Sequence, residues 1–282
     1  MNIGIVGLGL IGGSLAKAVK KNTPHKVFGK DIDEESMKKA FLTGAIDEEL
    51  ADFSALDMLI VALYPSATVE YLFKHADEIP KKCIVLDVSG VKRAVCGKIF
   101  PLAREKGFTF IGGHPMAGVE FPGFDHSREA LFKNASMILV PDKNVTIDKL
   151  VAVKELFTAL GFSRMQVSTP DEHDKMIALT SQLAHVLSSA YVKSPSAISH
   201  KGFSAGSFRD MTRVARLNED MWTELFFDNR DNLLEEIDNL IARLGEYRTA
   251  LAEEDGEKMR SLLKEGRERK LLVDKKYEKN QD

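Results

Sequence analysis

The chain has 282 residues, 29% of them charged, and a formal net charge of −3. That length holds one large domain or two moderate ones with a sizeable core, and the balanced charge, without a basic block, excludes a polyanion partner such as nucleic acid. Cys83 and Cys96 are too few and too far apart for a disulfide framework or a metal site, and no apolar run approaches the ~20 residues that span a bilayer.

The apolar start lacks the basic leader of a signal peptide and is interrupted by glycines, so a soluble, cytoplasmic protein without a membrane partner is expected. Ile3-Gly4-Ile5-Val6 reads as a strand that runs directly into Gly7-Leu8-Gly9-Leu10-Ile11-Gly12. A helix is predicted over 14–21 and a second strand over 27–31, ending on Asp31. Strand, glycine turn, helix start and distant carboxylate together make a dinucleotide-binding fingerprint. Gly7 allows the tight turn, Gly9 lets the backbone approach a pyrophosphate, and Gly12 lets the helix pack on the strand. Leu10 and Ile11 complete the turn that points the helix N-terminus at the phosphates. Asp31 suits a ribose diol and would repel a 2′-phosphate, which favours NAD over NADP; Lys30 beside it moderates that preference.

Further strands are predicted at 58–62, 84–87, 108–111, 137–140 and 165–167, with helices between them. This alternation implies an α/β fold with a Rossmann-like, mainly parallel sheet, whose ligands gather at the carboxyl ends of the strands. Thr169-Pro170-Asp171-Glu172 then reads as a helix start, with threonine as N-cap, proline in the first turn and glutamate at the capping-box position. Met176, Leu179, Leu183, Val186, Leu187 and Ala190 share one helical stripe. A long helix is expected over 219–251 and another from 256 into a charged stretch reaching 279. The expected division is a nucleotide-binding domain at 1–168 and an all-helical domain at 169–282. Amphipathic helices with nothing else to cover them point to a homodimer.

Three groups carry candidate chemistry. The fifth strand, read as ending at Ile111, leads into Gly112-Gly113-His114-Pro115, a rigid, open turn that sets an imidazole on the ligand side of the sheet. His185 lies opposite the apolar stripe with Ala178, Ser181, Ser188 and Ser189, which suits either a cleft wall or helix packing. Arg209 and Arg213 sit one helical turn apart, with Arg216 nearby. A fixed guanidinium is a partner for a substrate carboxylate, or for an ion pair with Asp210 or a dimer mate.

From the GLGLIGGS turn through GGHPMAG, SQLAH and FRDMTRVA to Met221-Trp222, the chain resembles the prephenate dehydrogenase (cyclohexadienyl dehydrogenase) family of tyrosine biosynthesis. The resemblance implies a nucleotide-binding domain joined to a helical dimerisation domain. It also implies NAD-dependent oxidative decarboxylation of prephenate, or of arogenate. Carried over by position, His114 is the catalytic base for the ring hydroxyl, Arg213 binds a substrate carboxylate, and His185 lines the pocket. The family's Gly-Ser-Val-Lys turn stands here as Ser89-Gly90-Val91-Lys92. With the first two residues transposed, Ser89 becomes the candidate for the serine that reaches the same hydroxyl. Gln182 occupies a substrate-pocket position where many members carry histidine. At this length, no fused regulatory or mutase domain is expected. Two other readings are a β-hydroxyacid dehydrogenase or imine reductase using Lys193 or Lys201, and a non-catalytic NAD-binding sensor.

Overall fold

A computed structural model describes residues 1–119 and 121–278, so the end of the charged stretch predicted to reach 279 lies outside the described residues. Eight strands form one sheet: β1 (Asn2–Val6), β2 (Lys26–Lys30), β3 (Glu48–Glu49), β4 (Met58–Val61), β5 (Ile84–Asp87), β6 (Thr109–Pro115), β7 (Ser136–Pro141) and β8 (Arg164–Val167). Their order across the sheet is β3-β2-β1-β4-β5-β6-β7-β8. Every pairing is parallel except β6 with β7. The chain reverses its direction of winding at β1, between β2 and β4, which opens the crevice that binds ligands in such sheets.

The central strands form because they can be buried on both faces. Met58, Leu59, Ile60 and Val61 are all fully buried, the continuous apolar run expected of a covered parallel strand. Alternation divides the strands between two cores. Ile3, Ile5, Met58 and Ile60 face α1 (Leu10–Asn22) and α5 (Ile147–Ala159). Val6, Leu59, Val61 and Val85 face α3 (Pro65–His75) and α4 (Arg93–Lys106), while α2 (Glu34–Leu42) starts on its own Asp33 cap. The two-residue β3 was not foreseen; two glutamates carry no strand pattern, and the segment pairs only because β2 offers an open edge.

Thr169 caps α6 (Pro170–Ile177), its hydroxyl accepting the Glu172 N–H at 3.2 Å, as the sequence implied. The Glu172 carboxylate accepts from the Ser168 hydroxyl at 3.0 Å. A π turn at Ala178–Gln182 joins α6 to α7 (Leu183–Val192), and α8 (Gly206–Thr212) follows. The single helix predicted over 219–251 is two: α9 (Glu219–Asp228) and α10 (Arg230–Ala252), separated at Asn229, whose backbone leaves the helical region at φ −121°, ψ 28°. Buried side-chain bonds hold Asn229 in this position.

The chain divides into two compact units, Met1–Arg230 and Asp231–Asp282. In the second, α10 and α11 (Gly256–Glu278) are joined by a turn in which Glu254 adopts φ +54°. Ala250 and Leu262 are buried there, and the Tyr247 hydroxyl donates to the Leu262 carbonyl at 3.4 Å. Among the described residues no helix is long and apolar enough to cross a membrane.

Candidate active site

The glycine turn has the geometry its sequence demands. Gly7 has φ +85°, and a Cβ there would lie 2.4 Å from the Ala62 carbonyl oxygen. A Cβ on Gly12 would meet the Gly7 carbonyl oxygen at 1.8 Å, whereas one on Gly9 would meet nothing within 4 Å. Gly7 and Gly12 are thus required by the protein's own packing, and the space over Gly9 is open for a ligand. The first turn of α1, containing Leu10, Ile11 and Gly12, has no side-chain cap and no acidic residue. Its N–H groups and positive dipole end suit a pyrophosphate. The Asp31 carboxylate accepts the Leu8 N–H at 2.5 Å and the Asp33 N–H at 2.9 Å. It therefore braces the glycine turn while keeping lone pairs for a ribose diol.

At the carboxyl end of β5, Asp87 begins a buried polar cluster. Its Oδ2 accepts from the Ser89 N–H at 3.0 Å, from the Ser89 hydroxyl at 2.5 Å and from the Lys92 ammonium. The Lys92 ammonium also donates to the Ser89 hydroxyl oxygen at 3.2 Å. Ser89, expected to reach the substrate hydroxyl, is buried here, with its own hydroxyl within donating distance of Asp87 Oδ2 at 2.5 Å and of the Val91 carbonyl at 3.1 Å. At Gly90, a Cβ would touch the Leu225 side chain of α9 at 3.3 Å.

His114 is held differently from the turn expected after Ile111. β6 continues through Pro115, and His114 pairs with Ile138 of antiparallel β7. Ladder bonds therefore fix the His114 backbone more firmly than a turn would. The His114 Nδ1 lies 2.9 Å from Nε2 of His173, whose Nδ1 lies 2.6 Å from Asp174 Oδ1. Hydrogen-bond chemistry assigns the tautomers. Asp174, as a carboxylate, accepts, so His173 Nδ1 carries the proton. His173 Nε2 is then an acceptor and takes the His114 Nδ1–H. The lone pair on His114 Nε2 remains available. Burial chiefly, then the neighbouring His173 and Lys92, pushes the His114 pKa well below its ordinary value. Burial also lowers that of His173, against the opposing Asp174 bond. Both rings are neutral at pH 7, as a proton acceptor requires.

Asp174 also accepts the Lys92 N–H at 2.7 Å and the Arg93 N–H at 2.9 Å, capping α4 from another helix. Asn229, fully buried, donates to the Asp174 carbonyl and to Gln182 Oε1, both at 2.8 Å. The Gln182 amide donates to the Leu225 carbonyl at 2.9 Å. Gln182, expected against substrate, lies at the end of the π turn, 2% exposed, with its amide bonded to Asn229 and to the Leu225 carbonyl of α9.

A second cluster holds His185 and Arg213. The His185 Nδ1–H donates to the Ser181 carbonyl at 2.8 Å, and the ring lies 4.0 Å from that of Trp222. Burial and the Arg213 charge lower its pKa, while the Ser181 bond raises it. Arg213 follows α8 and is exposed, and among the described residues neither it, Arg209 nor Arg216 makes an ion pair. Helix α9 ties the clusters together, with Trp222 against His185, Leu225 over Gly90, and Glu224 accepting the Ser66 N–H of α3 at 2.6 Å. His173, Asp174, Lys92 and Asn229 were missed as parts of the site. The adjacent His173-Asp174 pair just inside a helix start was the available signal.

A family model described as prephenate dehydrogenase, nucleotide-binding domain, matches residues 15–165, and one described as prephenate dehydrogenase, dimerization domain, matches 169–265. The chain is 31% identical to the prephenate dehydrogenase of Bacillus subtilis over 266 residues, covering 90% of this chain and 71% of that one. Its fold is similar to that of an Aquifex aeolicus prephenate dehydrogenase crystallised with hydroxyphenyl propionate and NAD+, with TM-score 0.84, 27% identity, and 97% and 98% of the two chains covered. It is also similar to Synechocystis arogenate dehydrogenase, with TM-score 0.80, 26% identity, and 97% and 100% covered. A glycine turn open to a nucleotide, a neutral histidine held at the end of the sheet, and matches across both halves lead to one conclusion: this chain belongs to the prephenate dehydrogenase family.

Proposed function

We propose that the protein is an NAD-dependent prephenate dehydrogenase, with His114 as the base and Arg213 as the carboxylate anchor. The observation carrying this reading is the Asp174–His173–His114 chain, which fixes both tautomers and leaves His114 Nε2 as a proton acceptor at the end of β6. The α1 N-terminus and Gly9 would hold the cofactor pyrophosphate, and Asp31 the ribose. When bound there, NAD+ would supply the acceptor for the hydride leaving the hydroxyl-bearing ring carbon. His114 takes the hydroxyl proton as that hydride departs. The bond to the ring carboxylate then breaks and releases carbon dioxide. Its electron pair completes the aromatic ring, and the proton returns from His114 to the phenolic oxygen. Aromatisation drives the reaction, so the protein's work is positioning and water exclusion.

Arg213, exposed and without an ion-pair partner among the described residues, suits a dianionic substrate, with His185 and Trp222 beside it as pocket wall. The division at 168/169 and a homodimer through the helical half belong to the same reading. Met176 and Leu179, in the predicted apolar stripe, are about half exposed in the single chain, as a face covered by a second copy would be. Arogenate is the second reading, favoured by the likeness to Synechocystis arogenate dehydrogenase. The test is reduced-nicotinamide absorbance with each substrate under NAD+ and NADP+. Faster turnover of prephenate with NAD+ is expected. Preference for arogenate supports the second reading, and cofactor binding without turnover of either overturns both.

A further inference from the structure

The two glycines before His114 are explained by what passes beneath them. A Cβ on Gly112 would lie 3.1 Å from Cδ of Lys92 and 2.7 Å from the Cys96 sulfur; one on Gly113 would lie 2.5 Å from the Asp87 carbonyl oxygen. The Gly113 N–H donates to Asp87 Oδ1 at 3.2 Å, so the carboxylate grips the backbone one residue before the base. Lys92 and Asp87 are both fully buried and ion-paired. The Lys92 backbone N–H, in turn, binds the carboxylate that orients His173. One residue thus joins both supports of His114: the strand end through Asp87, and the histidine relay through Asp174.

We propose that Lys92 is a positioning residue for His114, fixing Gly113 through its buried ion pair with Asp87. The proposal rests on the reading of His114 as the base. A fully buried lysine–aspartate pair is costly to maintain, and a hydrophobic pair of similar volume would be no less stable. Within that pair the lysine contributes a positive charge that disfavours protonation of both imidazoles. The other charged groups acting on His173 are Asp174 from α6 and Asp87 at the end of β5, and β7 pairs Ile138 with His114. Loss of the lysine cation makes protonation of His114 easier, in agreement with the direction in which Lys92 shifts both rings.

The test compares the full-length Lys92→Met, Lys92→Arg and Asp87→Asn/Lys92→Met variants, the double variant guarding against failure to fold around an unpaired buried carboxylate. Two measurements are made: the pH profile of kcat/KM, and an NMR titration of the His114 ring in the unliganded protein. Both neutral variants should move the acid limb, and the ring titration, upward by roughly half to one pH unit. They should lower kcat more than they raise KM, and Lys92→Arg should restore the wild-type limb. An unmoved titration in a folded neutral variant overturns the proposal. If the wild-type protein turns over neither substrate, the functional reading fails, while the ring titration still decides the role of Lys92.

Discussion

Strand β4 and the segment from α6 to α7 bury different mixtures of side chain. In β4 all four residues are apolar and fully buried. From α6 through the π turn to α7 the buried set is mixed, His173, Asp174, Gln182 and Ser188 together with Ile177 and Ala178, while Met176 and Leu179 of the predicted stripe are about half exposed. In the sheet, burial follows hydrophobicity, because a parallel strand between two helix layers can satisfy its backbone internally and needs only apolar side chains. In the helix pair, polar groups are inside because they are bonded to one another and to α4 and α9. Met176 and Leu179 of the predicted stripe are left uncovered in the single chain. The direction an amphipathic helix faces is thus a poor guide where a polar network or a second subunit competes for it.

Four experiments bear on this contrast, from the largest expected effect to the smallest. Replacing His114 with Asn removes the acceptor at the end of the polar network and should lower kcat by roughly 10²–10⁴-fold with little change in KM. Steady-state kinetics with prephenate would show this, and unaltered turnover removes His114 from its role. Arg213→Ala should raise KM by roughly 10–100-fold, the equivalent of one charge-assisted hydrogen bond; an unchanged KM counts against the anchor. Leu179→Glu places a charge on the outward apolar face. It should weaken dimerisation at least about tenfold in sedimentation velocity without lowering the thermal midpoint of the remaining monomer; an unchanged dimer would put the interface elsewhere.

The smallest effect is on acid stability. His114 and His173 titrate below the ordinary imidazole value of 6.5 in the folded protein. Between the folded and unfolded values the unfolded chain binds the extra protons, so stability rises with pH there and is lost as the pH falls below about 6.5. The thermal midpoint should drop on acidification, and His114→Asn should flatten that dependence. An equally steep slope in the variant would show that other groups set it.

The sheet and the nucleotide turn were legible because their signals are local. Gly7, Gly9 and Gly12 act within a few residues of one another, and strands such as 58–61 declare themselves by composition. His114 was legible for the same reason, flanked by glycines and a proline, although its place inside β6 was hidden because Gly112 and Gly113 have low strand propensity. The partners of these residues were not legible. Asp87 reaches Gly113, Lys92 reaches Asp174, and Gln182 reaches Asn229 across long stretches of chain. Buried lysines and asparagines in sequence look like surface residues. The break at Asn229 escaped for that reason, since the periodicity of 219–251 runs through it and only the bonds to Asp174 and Gln182 mark the interruption.

The antiparallel seam between β6 and β7 has a consequence for how such a protein can change its diet. Because the residue opposite Ile138 is stitched into a ladder on one side and gripped at Gly113 on the other, the reacting end of any substrate must come to it. On the proposed reading, discrimination between a keto and an amino side chain would fall to residues away from this ladder. Mutations there can retune selectivity while the proton-handling end stays in place.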